Sequence, residues 1–508
     1  MAKSRTKKAS LNILTSALLE VITMLSGLIL PRYILQYFGS SYNGITSSAT
    51  QFFSMISVLT LGVTASTRVA LYKTLAKNDI AGTSAIVRAT ECYMRKVALV
   101  LGAYIIGLAL VYPLVVHTGF SFLDVALLIL ITGVNAFAEV YFGVTYRTFL
   151  LADQSVYISN IFSSISVFLN LAVSIILIKS GFSIHIVKLG SAMVYFLRPL
   201  LQNIYVTKKY KLDKHCKPDM SALKQRSDAM MHALANIIHD HTDIIVLTLF
   251  TDVKLVSVYT VYNLVMSSLK KIQSIFTTGT EPIFGSMWAN GETDKISKNL
   301  SILELLVNAF NAVAFGTAIV VILPFISLYV PRSVTDINYI MPVYSVVISL
   351  AFATQGMRVP YLAFVQGIGH YKQTRNAAFI EAALNIVISV ILVNIFGIVG
   401  VAVGTLIANI YRLVVYAVYI ERKVLHRGKF VFLLKFLWTM LCLAVIVIPA
   451  RLFVQNLVID NWGMWFLISL CVGIYSIAVV ALSGCVCYGD DLRYAISIAK
   501  RMIKKGRK

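Results

Sequence analysis

The sequence predicts an all-α polytopic membrane protein of about 14 transmembrane helices, arranged as two pseudo-symmetric six-helix lobes plus two C-terminal helices. Three observations predict it. Of 508 residues, 58% are hydrophobic and only 13% charged, with a mean hydropathy of +0.80. Soluble domains run nearer 45–50% apolar and about 25% charged, so a water-soluble enzyme of several domains is excluded. Apolar runs of membrane-spanning length recur along the whole chain, and two long stretches of it match each other.

The runs fall near 11–36, 44–64, 97–116, 122–146, 156–178, 184–206, 230–250, 255–278, 301–330, 338–361, 377–396, 398–420, 431–453 and 463–487. Each holds the roughly 20 apolar residues that a spanning helix needs. The opening MAKSRTKKAS is basic, but the apolar stretch from Leu11 to Leu35 is too long for a signal peptide and lacks an A-x-A-like cleavage site. It reads as the first retained span. Six cysteines show no metal-ligand spacing and imply no disulfide framework; Cys485-x-Cys487 reads as two small buried residues.

Charge tests the count. Lys and Arg number 45 against 22 Asp and Glu, a net +23. In a soluble chain this excess would suggest nucleic acid. In one this apolar, the question is which side holds the cations. With the N-terminus inside, the inward segments carry 33 Lys/Arg and the outward ones only Lys179, Lys254, Arg332 and Arg451. Both termini are therefore expected in the cytoplasm, and no nucleic-acid partner is implied. Two basic segments, 68–96 and the tail RYAISIAKRMIKKGRK, mix apolar residues with lysine and arginine. They read either as helices lying among anionic headgroups or as solvated topology signals.

Residues 146–209 and 361–423 can be superposed as sequence. Tyr146 and Phe149 match Tyr361 and Phe364; Leu169-Asn170 and Ser174 match Leu384-Asn385 and Ser389; after a one-residue slip, Gly190 and Arg198 match Gly404 and Arg412. A weaker match joins FGSSYNGITSS to LFTDVKLVSVYT. Parallel repeats of this kind are a transporter architecture, with the path between the halves. The expected divisions are a lobe at 1–206, a basic cytoplasmic linker at 207–229, a lobe at 230–423, and two further spans with a basic tail at 424–508.

With LILPRYILQYFGSSYNGITSSATQFFSMISVLTLGV at its start, HTDIIVLTLFTDVKLVSVYTVY in the seventh span and two six-helix repeats plus two helices, the chain resembles the multidrug/oligosaccharidyl-lipid/polysaccharide flippase superfamily. Within it, it is most similar to the bacterial polysaccharide-exporter branch of Wzx-type flippases. The resemblance implies two lobes that alternate between inward-open and outward-open states. It implies a cargo of undecaprenyl-diphosphate-linked oligosaccharide, moved from the cytoplasmic to the outer leaflet of the bacterial cytoplasmic membrane for surface polysaccharide such as O-antigen or capsule. Polysaccharide polymerase and glycosyltransferases would be its partners. The multidrug branch usually has 12 spans, from which the helices after residue 430 depart; lipid II flippases have 14. A cation-coupled antiporter and a lipid II flippase are the alternatives.

Eight Lys/Arg remain within or at the edge of the spans: Arg32, Lys188, Arg198, Lys270, Lys271, Arg358, Arg412 and Lys435. A midplane cation costs about 2.5–3.5 kcal/mol on insertion scales, so such residues face a cavity or a partner. Lys188, Arg358 and Lys435 sit near helix ends and read as snorkelling. Arg32, Arg198, Lys270 and Arg412, with Arg68 near the mouth, suit a diphosphate headgroup, to which Arg offers a fork and Lys a point charge. The alternative for these cations is ion pairing with Glu20, Glu139 or Glu381. Glu20, mid-span, reads as a proton relay or as a partner of a cavity cation. Asp243, Glu381 and Asn385 form a candidate Na⁺ or H⁺ coupling site, since carboxylates with amide neighbours inside a membrane are what such a site requires. A salt bridge from Glu381 to Arg412 is the competing reading. On a helix His239 and His241 point apart, which argues against a metal. Phosphate loops, nucleophile elbows and HExxH are absent, so no catalytic residue or cofactor is expected.

Overall fold

The computed structural model describes residues 2–116, 118–213, 215–223, 227–277, 279–428 and 431–489. It is helical throughout, with no strand among the described residues. Among the described residues, eleven helices are long and apolar enough to cross a membrane, making it an all-α polytopic membrane protein. The first of these crossing segments, Ser10–Met55, lies in α1 (Ala2–Met55) and holds the first expected span and part of the second. They divide at Gly39, whose φ of 82° few other residues would tolerate. The chain continues through α2 (Val58–Ala76), α3 (Ile80–Val115), α4 (Phe122–Ala138), a π-helical turn (Glu139–Gly143), α5 (Val144–Ala152), α6 (Val156–Lys179) and α7 (Ile184–Tyr210). After the linker come α8 (Ser227–Phe250), α9 (Val253–Ser274), α10 (Thr280–Ala289), α11 (Thr293–Tyr329), α12 (Pro342–Met357), α13 (Val359–Gly367), α14 (Tyr371–Phe396) and α15 (Ile398–Tyr419). A second π-helical turn (Ile420–Val424) precedes α16 (Val431–Val454) and α17 (Trp462–Cys487).

Element boundaries carry the duplication. Val144–Ala152 and Val359–Gly367 begin and end 215 residues apart. Ile184–Tyr210 corresponds likewise to Ile398–Val424 at a spacing of 214. The second helix of each repeat is interrupted, after Met55 in one and after Ser274 in the other.

Packing groups Met1–Thr260 with Pro331–Ile337 as one compact unit, and Val261–Val330 with Asn338–Lys508 as another. The first unit is held by a core that includes Ile45, Phe53, Leu101, Ile129, Val187 and Val253. A second cluster around Leu71, Tyr146, Phe149 and Val206 lies in the same unit. The second unit is centred on Leu300, Met357, Phe364, Leu413 and Tyr416. There α16 packs on α11 through Ala312, Trp438 and Ile446.

Two local expectations change. The basic segment 68–96 is no separate surface helix. It is the end of α2, a turn and the start of α3, whose N-cap Asp79 accepts from the Gly82 amide. Buried Thr90 and Glu91 face inward from α3, so the segment is part of the packed lobe. Cys485 and Cys487 are exposed rather than buried, because the apolar surface of a spanning helix has no need to face protein. The tail after residue 489 lies outside the described residues.

Beyond the spans, Asp153 ties the start of α1 to the α5–α6 turn. It takes hydrogen bonds from Lys8 Nζ at 2.9 Å, Ser155 Oγ at 2.5 Å and Tyr210 Oη at 2.6 Å. Burial pushes its carboxyl up, but these donors outweigh burial and hold it below its ordinary value. A depressed carboxylate stabilises the fold above its unfolded value and loses that contribution as pH falls through its folded value. Acidification below about pH 4 is therefore expected to lower the protection of the backbone amides of residues 8–16 and 153–157 against exchange, relative to the intrinsic rate at each pH. Asp153→Asn should remove that pH dependence, and protection that still falls in the variant would contradict the assignment.

Candidate functional site

A buried polar cluster inside the second unit is built on Arg358, Glu381 and Arg412. The sequence Met357-Arg358-Val359-Pro360 breaks the helix, because proline lacks an amide donor and disfavours helical geometry in the residue before it. The break turns Arg358 into the lobe, where Nη1 donates to one Glu381 oxygen. Arg412 Nη1 donates to the other, and its Nη2 reaches Tyr416 Oη at 3.2 Å. Glu381 and Arg412 are wholly buried, and Arg358 is 5% exposed. One carboxylate thus lies between two guanidiniums, and the formal charge of the triad is +1.

One helical turn on, Asn385 Nδ2 lies 3.5 Å from Thr405 Oγ1, and Ser389 Oγ donates to Asn385 Oδ1 at 3.1 Å. Gly400 and Gly404 let α15 press against α14. A Cβ at Gly404 would stand 2.3 Å from Ser389 Oγ, and one at Gly400 2.2 Å from the Leu392 carbonyl. This Gly-xxx-Gly spacing is the close-packing device of membrane helices. It is readable in Gly400-Val-Ala-Val-Gly404 and is absent from the sequence expectations above.

Several candidates settle elsewhere. Arg198 in the first unit pairs with Glu139 on the π-helical turn. Gly143, at the position corresponding to Arg358, leaves room for that carboxylate: a Cβ there would be 2.7 Å from Glu139 Oε2. The two repeats therefore give equivalent arginines a carboxylate from different helices. Arg412 has no exposed surface and pairs with Glu381, the competing reading for that carboxylate. Arg358 and Lys435, read as snorkelling, are instead buried and paired, Lys435 with Glu304. Arg427 joins Glu304 at 3.2 Å, and Ser301 accepts from Lys435 at 2.7 Å. This second cluster ties α16 to α11. Sequence reasoning passed over Glu304, whose only signal is a carboxylate entering an apolar run.

Asp243 is buried and accepts from Tyr259 Oη at 3.3 Å in the first unit; Glu381 and Asn385 belong to the second. Arg32, Arg68 and Lys270 are half-buried, on α1, α2 and α9 respectively, and Glu20 is exposed on α1.

In the first unit, α1 beyond Gly39 packs on the start of α9. Ser40, Gly44 and Ser48 form a buried small-residue stripe. Asn43 Nδ2 donates to Ser257 Oγ at 2.7 Å, and Ser40 donates to Asp336 through its amide at 3.0 Å and its hydroxyl at 2.7 Å. Gly44 corresponds in the weaker sequence match to Ser257, so the two matched segments pack on each other within the first unit.

No protein-family model and no curated protein matches the chain. Solved structures do. A lipid II flippase, MurJ, in an inward closed conformation superposes with a TM-score of 0.69 at 17% identity, over 94% of this chain and 99% of that one. A MATE-family multidrug resistance transporter of the MOP superfamily, in an inward-facing conformation, follows at 0.59 and 13%, covering 83% of this chain and 95% of that one. The chain has the MOP superfamily fold. A MOP superfamily transporter from Pyrococcus furiosus aligns over 84% of this chain and 97% of its own, at 0.53 and 13%. On this MOP scaffold the buried triad spans α12–α13, α14 and α15, the helices of the second repeat that show the clearest sequence duplication.

Proposed function

We propose that the chain is a MOP-superfamily flippase that moves undecaprenyl-diphosphate-linked oligosaccharide to the outer leaflet by alternating access, for surface polysaccharide assembly. The carrying observation is the Glu381 triad: the carboxylate that would attract a cationic drug is already held by two arginines, leaving the triad with a net positive charge. A diphosphate is the complement of such an interior. Arg32, Arg68, Arg198 and Lys270 would meet the headgroup during the cycle, with Glu20 relaying a proton or pairing with one of them. Asp243 takes the coupling-ion role for Na⁺ or H⁺, because Glu381 has protein cations where an ion would sit; Asn385 orders the α14–α15 contact beside it. The 33 to 4 split of Lys and Arg supports a bacterial cytoplasmic membrane location with both termini inside.

Deleting the gene and extracting lipids tests this reading. Undecaprenyl-linked oligosaccharide should accumulate on the cytoplasmic face, and Asp243→Asn transport should no longer respond to Na⁺ or membrane potential. Unchanged lipids together with new drug sensitivity would favour the antiporter.

A lipid II flippase is the second reading, favoured by the superposition over 94% of this chain and 99% of that one. It predicts that the chain rescues cells depleted of their lipid II flippase. The polysaccharide reading predicts that it does not.

A further inference from the structure

At the ends of α11 and α16, on the side opposite the basic loops, the second unit holds a cavity of about 320 Å³. Its apolar wall includes Val320, Leu323, Val454 and Leu457, and its polar contributors include Arg451 and Gln455. The volume is at the small end for ligand sites, enough for a headgroup and the first carbons of a chain.

Three features point to one occupant. Arg451 is one of only four Lys/Arg expected on that side, and among the described residues no carboxylate pairs with it. A half-buried guanidinium at a membrane surface seeks an anion. Next to the cavity stands an aromatic cluster, with Phe325 5.7 Å from Trp462 and 5.5 Å from Trp465. Such rings settle at headgroup level, which places the cavity at the depth of lipid phosphates. Pro324, also on the cavity wall, has no N–H to give the Val320 carbonyl, so α11 carries a carbonyl without its helical donor beside the cavity.

We propose that this cavity binds one anionic phospholipid, its phosphate on Arg451 and the start of an acyl chain against Leu323 and Val454. The lipid bridges α11 and α16, so it fastens the C-terminal pair to the lobe whatever cargo the protein carries.

Native mass spectrometry of the purified, delipidated full chain tests the site, with phosphatidylglycerol, phosphatidylcholine and inorganic phosphate as probes. Phosphatidylglycerol should bind about tenfold more tightly than phosphatidylcholine, the scale of one charge-assisted hydrogen bond. Arg451→Ala should erase that preference, Arg451→Lys should restore part of it, and Leu323→Trp should block the site. Arg332→Ala, which removes an exposed cation on the same side, should change nothing. A preference that survives Arg451→Ala would overturn the proposal. So would inorganic phosphate displacing the lipid at equal concentration, which would mark a plain anion site.

Discussion

Replacing Glu381 by glutamine is expected to cost about 3–5 kcal/mol of stability, the scale of breaking a buried ion pair. The substitution keeps the shape and removes the negative charge that Arg358 and Arg412 share, leaving two guanidiniums facing each other among buried helices. Thermal unfolding in detergent should show the loss, with transport falling alongside. Adding Arg412→Met should recover part of the stability, because the remaining Arg358 then repels no second cation, and methionine fills the space with apolar volume. If transport returns with stability, the triad serves the fold. If stability returns and transport does not, Arg412 has a role in the cycle beyond packing. Glu381→Gln as stable as the native protein would refute the pairing as a determinant of the fold.

The second large effect is expected at Gly44. A single methyl there would lie 2.0 Å from the Val253 carbonyl oxygen, and that neighbour is backbone, which cannot rotate away. Gly44→Ala should therefore push α1 and α9 apart and disrupt the Asn43–Ser257 hydrogen bond, an overpacking cost of about 1–3 kcal/mol. Under the proposed alternating-access cycle, transport should fall by an order of magnitude or more, because this contact no longer forms fully. Cross-linking reports the geometry directly: the Asn43→Cys/Ser257→Cys pair should form a disulfide readily in the native background and poorly with Gly44→Ala. Equal yields in both backgrounds would show that the helices tolerate the methyl.

Much of the fold was legible because membrane insertion sums over local sequence. Each span must carry enough apolar residues, and each loop's cations bias its side, so hydropathy and Lys/Arg placement speak without knowledge of neighbours. The repeat was legible for the same reason: matched residues such as Tyr146 and Tyr361 fall in helices with the same boundaries. Helix ends were less legible. α3 begins at Ile80 and α11 at Thr293, well before their apolar runs, because amphipathic turns continue a helix beyond the hydrocarbon without any hydropathy signal.

The candidate site divides along the same line. That Arg198, Glu381 and Arg412 cannot face lipid follows from desolvation alone, and the sequence by itself determined that each needs a partner. Which partner was decided by tertiary structure. Arg358 looked like an end-of-helix cation until the break before Pro360 turned it onto Glu381. Glu304 gained its role only when α16 returned to α11 with Lys435. Arg198 took Glu139 because Gly143 leaves space where the other repeat carries Arg358. The need to neutralise a buried charge belongs to one residue and is written in the chain. The neutralising contact depends on which helix faces meet within a few ångströms, and only packing sets that.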